Sequence, residues 1–123
     1  MKWVKLRWAL NFQSLHHHIT NRRETPMPIT RINHFSAADG KEVQLQTFLC
    51  SLVPYITNCD GNLMCEVLRQ HDSDNKFVVI EQWQSIEAHQ QSLANFPSDD
   101  MQAAMVLFGA PPSGAAYHKV ESI

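Results

Sequence analysis

Hydrophobic and polar positions change period several times along this chain, and each change marks an element. Residues 28–36, PITRINHFS, alternate. Ile29, Arg31, Asn33 and Phe35 fall on one face and Thr30, Ile32 and His34 on the other, the period of a β-strand. Ser36-Ala37-Ala38-Asp39-Gly40 reads as a turn, with Ser36 or Asp39 available to cap a following helix. Over residues 41–57 the spacing becomes helical. Leu45, Phe48, Leu49, Leu52, Val53 and Ile56 form one apolar stripe, and Pro54 within it predicts a kink or an early end. Asn58 to Asn62 is a second turn, in which Gly61 suits a positive φ. Residues 63–70 and 76–83 are strands joined by the polar turn Asp72-Ser73-Asp74-Asn75, hence an antiparallel hairpin. Phe77, Val79, Glu81 and Trp83 share one face of the second of these strands. A polar helix starts at Ser85, with a narrow stripe of Ile86, Leu93 and Ala88, and breaks at residues 95–98. A third helix, capped by Ser98 or Asp99, runs through Met101, Ala104, Met105 and Phe108. After the turn at 109–114, residues 115–121 give a last strand.

Strand–helix–strand–strand–helix–strand, with an extra helix before the last strand, is the order of an α+β, ferredoxin-like split βαβ fold: an antiparallel four-stranded sheet with helices on one face. The other face has no cover of its own. A two-fold partner closing the two sheets into a dimeric α/β barrel would bury it, and strand 76–83 is apolar on both faces, as such burial requires.

Charge divides the chain. Its 123 residues carry a formal net charge of −2. Residues 1–26 hold five basic residues and one acid, whereas residues 27–123 hold five basic residues and eleven acids. The acidic part argues against nucleic acid as a partner. The basic part has a helical stripe of Val4, Trp8, Phe12, Leu15 and Ile19. It suits an amphipathic helix on a membrane or partner, a targeting peptide, or an extension outside the natural domain. Met27-Pro28 running straight into a strand favours the last, with the domain spanning 27–123 and able to fold and dimerise without the extension. No apolar run approaches the ~20 residues of a membrane span. His16-His17-His18 cannot converge on one ion from a helix, where successive residues lie about 100° apart. Cys50, Cys59 and Cys65 match no zinc spacing and read as reduced thiols in a cytoplasmic protein, with no metal expected.

The run Val79-Ile80-Glu81-Gln82-Trp83-Gln84-Ser85-Ile86-Glu87-Ala88-His89 is distinctive. With Gly61, Arg69, Asp72 and Asp74 before Phe77, and Asp39-Gly40-Lys41-Glu42 leading into the first helix, it resembles the antibiotic biosynthesis monooxygenase domain family of the dimeric α+β barrel group, over about residues 28–118. The resemblance implies a homodimer with a pocket between sheet and helices. Small phenolic or quinol-type compounds would be oxidised there by molecular oxygen, without metal or flavin. Trp83 matches the family's Trp after the third strand, and Asn33 an Asn in the first strand. His89 is the candidate base, since a free imidazole titrates near neutrality. Many relatives carry their helix His nine residues after the Trp, where this chain has Ser92, one turn beyond His89. The expected catalytic set is therefore His89, Asn33 and Trp83, with Phe35, Glu81, Ser92 and Tyr117 in the substrate pocket and Tyr117 reaching a partner's site. Glu81 could pair with Arg31 or Arg69. The alternative is a non-catalytic small-molecule-binding, haem-binding or stress-associated module of the same fold, which a pocket too small for an arene would favour.

Overall fold

The computed structural model describes residues 27–121. The N-terminal amphipathic stripe, the histidine run and the boundary role given to Met27 rest on residues outside that span. Strand β1 (Ile29–Ser36) leads to helix α1 (Glu42–Thr57), then strands β2 (Asn62–Arg69) and β3 (Lys76–Trp83). Helices α2 (Ile86–Asn95) and α3 (Ser98–Ala104) follow, and after one 3₁₀ turn (Met105–Leu107) comes strand β4 (Ser113–Tyr117). The strands form one sheet in the order β2-β3-β1-β4. Every pairing is antiparallel. This is the ferredoxin-like arrangement that the hydrophobic periods predict.

Register decides what the two central strands bring together. Ile29 lies opposite Trp83, Arg31 opposite Glu81, Asn33 opposite Val79 and Phe35 opposite Phe77. All eight of these side chains are buried. They face α1, whose Leu45, Leu49, Leu52 and Ile56 lie along one side of the helix and complete the core. The strand ends are thus apolar, while the middle of the covered face carries two opposed charges.

Local details depart from the sequence-based expectation in several places, one of them the third helix, which ends at Ala104 and passes into the 3₁₀ turn rather than running on through Phe108. Neither Ser36 nor Asp39 caps α1. Its N-cap is Lys41, with no side-chain hydrogen bond, because only a residue at the N-cap itself can reach the amides of the first turn. Nor do Ser98 or Asp99 cap α3, which is preceded by Pro97 and begins at Ser98. Pro54 does not end α1, which continues to Thr57. The bond that Pro54 cannot make would have gone to the carbonyl of exposed Cys50, which water can satisfy. Finally, β4 starts two residues earlier than predicted and stops at Tyr117, which pairs with Thr30 near the start of β1. Two other features are as predicted. Gly61 has φ 86°, and the Ser85 hydroxyl accepts the Ala88 amide at 3.1 Å to start α2.

The opposite face of the sheet has no helix over it. Thr30, Ile32 and His34 of β1, Val78, Ile80 and Gln82 of β3, and Met64, Glu66 and Leu68 of β2 point there, in line with the registers. Leu68 is 45% and Tyr117 48% exposed. Among the described residues no helix is long and apolar enough to cross a membrane.

Candidate functional site

Five polar side chains are buried between the sheet and the helices: Arg31, Asn33, Glu81, His89 and Ser92. Buried polar groups persist only where hydrogen bonds and opposite charges offset their desolvation, and here they form a connected set. Arg31 Nη2 donates to Asn33 Oδ1 at 2.8 Å. That contact fixes the orientation of the Asn33 amide, since a guanidinium can only donate. Asn33 Nδ2 is therefore turned the other way and donates to Glu81 Oε2 at 3.3 Å. The Trp83 indole N–H donates to Glu81 Oε1 at 2.8 Å. Both carboxylate oxygens of Glu81 are thus held by neutral donors, with Arg31 directly across the strand pair.

Gly114 makes this packing possible. It faces Asn33 across the β1–β4 pair. A Cβ there would lie 2.2 Å from Asn33 Oδ1 and 3.0 Å from Arg31 Nη2. The backbone of β4 comes close enough to pin both side chains only because no side chain intervenes.

Burial sets the electrostatics. Desolvation pushes the Glu81 carboxyl above its ordinary range, while the Trp83 hydrogen bond and the Arg31 charge pull it back. A guanidinium does not give up its proton in a protein, so an ionised Glu81 is the natural counter-charge to Arg31. His89 moves the other way: burial first, then the Arg31 charge, push it down to about 3. At neutral pH it is an uncharged imidazole. Its Nε2 lies 3.8 Å from Glu81 Oε1, a separation that reflects proximity rather than an ion pair at that pH. The sequence-based argument for His89 as base rested on a free imidazole near neutrality, and the environment removes that premise. Glu81 is the stronger proton acceptor of the two.

These groups open onto a small cavity of about 30 Å³, lined by Arg31, Asn33, Glu81, His89 and Ser92 and closed by Leu52, Tyr55, Ile56, Leu93 and Phe96. That is room for one or two waters. His89 and Ser92 both reach it, as their spacing of one helical turn requires, but the Ser92 hydroxyl is engaged by the His89 carbonyl at 2.7 Å. Of the residues expected in the site, the structure brings Asn33, Glu81, His89 and Ser92 together. Trp83 is fully buried behind them. Its ring centroid is 5.4 Å from that of His89, and it braces Glu81 rather than lining the cavity. Phe35 does not reach the cavity. It sits at the far end of β1 in the core, with its ring 5.7 Å from that of Phe108. Tyr117 points to the uncovered face, as its pairing with Thr30 dictates. Arg69, opposite Phe77 at the distant end of the hairpin, is not Glu81's partner; Arg31 is.

Tyr55 and Phe96 were not foreseen. The Tyr55 hydroxyl donates to the Ser92 carbonyl at 2.9 Å, and its ring meets Phe96 edge-on, 5.2 Å between centroids at 78°. The only signal in the sequence is an aromatic residue in the last turn of α1 and another in a helix–helix break. Among the described residues, no group of three or more His, Cys, Asp or Glu side chains is placed to hold a metal ion.

Comparison with known proteins places this geometry. None of the curated proteins matches the chain closely enough to count as a relative. Among solved structures, SnoaB, a cofactor-independent oxygenase from Streptomyces nogalater, superposes with a TM-score of 0.66 at 19% identity, over 78% of this chain and 96% of that one. PA3566 from Pseudomonas aeruginosa superposes with a TM-score of 0.69 at 19% identity, over 80% and 99%. SO0527 from Shewanella oneidensis gives 0.65 at 21% identity, over 76% and 91%. At these identities the likeness speaks for the fold. The family model of the antibiotic biosynthesis monooxygenases matches residues 28–106, which include β1, α1, the hairpin and α2, and the chain belongs to that family.

Proposed function

We propose that this protein is a cofactor-independent monooxygenase acting on a small phenolic or quinol-type compound, with Glu81 as the base. The observation that carries the proposal is the buried Arg31–Asn33–Glu81–Trp83 set beside a cavity: a carboxylate made more basic by burial, held in place by neutral donors, with a fixed positive charge at hand. Glu81 takes the hydroxyl proton of the substrate, and the remaining N–H of Asn33 and the charge of Arg31 stabilise the phenolate. An electron-rich phenolate can transfer an electron to O2. Recombination at the para carbon, loss of that carbon's hydrogen and cleavage of the O–O bond then turn the para C–H into the C=O of a quinone. The ring gives up four electrons in all. One oxygen atom enters the product and the other leaves as water, so no external reductant is needed. Exclusion of water around the site protects the radical pair.

The size of the cavity favours the second reading, a non-catalytic binding module, because about 30 Å³ does not hold a ring; a cavity of about 150 Å³ is what benzene occupies. Haem ligation through His89 suits this structure poorly. His89 is 3% exposed and enclosed by Trp83 and Glu81, with no open approach for a macrocycle. An oxygen electrode separates the two main readings. Under the monooxygenase reading, at least one member of a panel of phenols and 1-naphthols with a free para C–H drives oxygen uptake proportional to enzyme. A panel without uptake favours the binding module.

We place the protein in the cytoplasm as a homodimer. Its three cysteines are free, and the bare sheet face through Ile32, Val78 and Ile80 suits a second sheet, with His34 and Tyr117 on the same side. Sedimentation equilibrium is expected to give twice the chain mass, and Ile80→Glu, which sets a charge in the middle of that face, to give the monomer. A monomeric parent protein contradicts the dimer.

A further inference from the structure

Tyr55 and Phe96, which help to close the cavity beside Glu81, also wall a second and larger space. It is a groove of about 400 Å³ between α1 and α3, well above the roughly 150 Å³ that takes a benzene ring. Phe48, Ser51 and Tyr55 follow one another at steps of three and four along α1, so they share one side of that helix. Asp100 comes from the first turn of α3. The Tyr55 and Phe96 rings stand at 78° to each other with centroids 5.2 Å apart, and Phe48 adds a third ring to the lining.

The donors and acceptors of this lining select the kind of ligand it suits. A hydroxyl carries one proton. That of Tyr55 goes to the Ser92 carbonyl and that of Ser51 to the Phe48 carbonyl. Both oxygens are left with acceptor capacity only. Asp100 is exposed, and a carboxylate likewise only accepts. It is the one charged side chain among the described residues of the lining. An anion would meet a negative charge and no side-chain donor. A neutral arene would meet the rings but leave the carboxylate unused. An organic cation uses both: aromatic rings attract it through their quadrupoles, and Asp100 supplies the counter-charge. The acidic balance of residues 27–123, five basic residues against eleven acids, adds a long-range field of the same sign.

We infer that the α1–α3 groove is a binding site for an organic cation, an alkyl- or arylammonium, with Phe48, Tyr55 and Phe96 around the charged head and Asp100 as its counter-ion. The site goes beyond the monooxygenase reading and draws on none of the Glu81 chemistry.

The test uses phenyltrimethylammonium, whose N-methyl protons give a single resonance, with the full chain. Aromatic rings displace that resonance upfield when the methyl groups lie over their faces, so a titration followed by NMR reports where the head sits as well as how tightly it is held. The parent protein is expected to shift it upfield and to bind it about tenfold more tightly than tert-butylbenzene, the uncharged molecule of the same shape. Benzenesulfonate is expected not to bind. Asp100→Asn is expected to weaken binding of the cation about two- to fivefold, the worth of an exposed ion pair. Asp99→Asn removes the same charge from the same turn of α3, but from a residue outside the lining, and is expected to leave binding as it was. Phe48→Leu keeps an apolar side chain and removes a ring. It is expected to weaken binding about fivefold and to reduce the limiting upfield shift. All three variants are expected to keep the parental circular dichroism spectrum. An N-methyl resonance that does not move overturns the inference. So does tert-butylbenzene bound as tightly as the cation, or an equal loss from Asp99→Asn and Asp100→Asn. None of these readouts involves oxygen, so the groove site and the monooxygenase reading stand or fall separately.

Discussion

Glu81→Gln is expected to lower turnover of the best phenol by about 10²–10⁴-fold, the range over which a positioned general base contributes, with KM far less affected. Glutamine has the same shape but a single acceptor oxygen, so it keeps the bond from Trp83 or from Asn33 and turns its NH2 towards the other donor, while the proton acceptor is lost. The same change removes the carboxylate facing Arg31. Breaking a buried charge pair from one side costs on the order of 3–5 kcal/mol, so the variant is also expected to unfold at clearly lower denaturant. The two losses can be separated. Adding Arg31→Met to Glu81→Gln removes both charges together, and is expected to recover much of the stability and none of the turnover. Steady-state kinetics and urea titrations of the parent, single and double variants read both quantities. A Glu81→Gln protein that keeps more than about a tenth of parental kcat is incompatible with Glu81 as base.

Acid sensitivity is the second large effect, and its sign follows from His89. In the folded chain His89 titrates at about 3 because burial and then Arg31 disfavour its charged form, whereas an unfolded imidazole titrates near 6.5. Its contribution is therefore present above about 6.5 and is lost as pH falls from there towards 3, where the unfolded chain takes up a proton that the folded one refuses. The loss from this group alone is about 3 kcal/mol between pH 7 and pH 4. Glu81 opposes it. Its carboxyl is raised by burial, so the folded chain protonates it before the unfolded one does, and its share of stability increases as pH falls. The net slope is accordingly smaller than the His89 term. His89→Gln removes that term, and is expected to flatten or invert the dependence of the urea midpoint on pH over this interval. A parent protein equally stable at both values, or a variant with the parental slope, contradicts the buried neutral imidazole.

The alternation of β1 and β3 made the site's floor readable in advance. It put Asn33 on the covered face with Arg31, and Glu81 with Trp83, and the three-residue step from His89 to Ser92 put both on one side of α2. Strand period alone could not say which cross-strand neighbours meet. Arg31 as the partner of Glu81, rather than Arg69, follows from the β1–β3 register. The need for Gly114 follows from the β1–β4 register, which no local pattern encodes. Trp83 was placed on the right face, but whether an indole lines a cavity or braces a carboxylate depends on its hydrogen bond. Phe35 shares a face with Asn33 yet lies too far along the strand. The His89 base role was argued from a solution pKa, and burial is a property of the fold rather than of the residue. The Tyr55–Phe96 ring contact joins a helix end to an interhelical corner that approach one another only in three dimensions.

The most direct measurement follows the oxygen atoms. The metal-free protein is given ¹⁸O₂ and the phenol with a free para C–H that it turns over fastest, and the product is weighed by mass spectrometry. With Glu81 generating a phenolate that reacts directly with oxygen, the quinone carries one labelled atom, one labelled water forms per quinone, and Glu81→Gln reduces both together. A product without label, or label incorporation untouched by Glu81→Gln, contradicts that chemistry at this site.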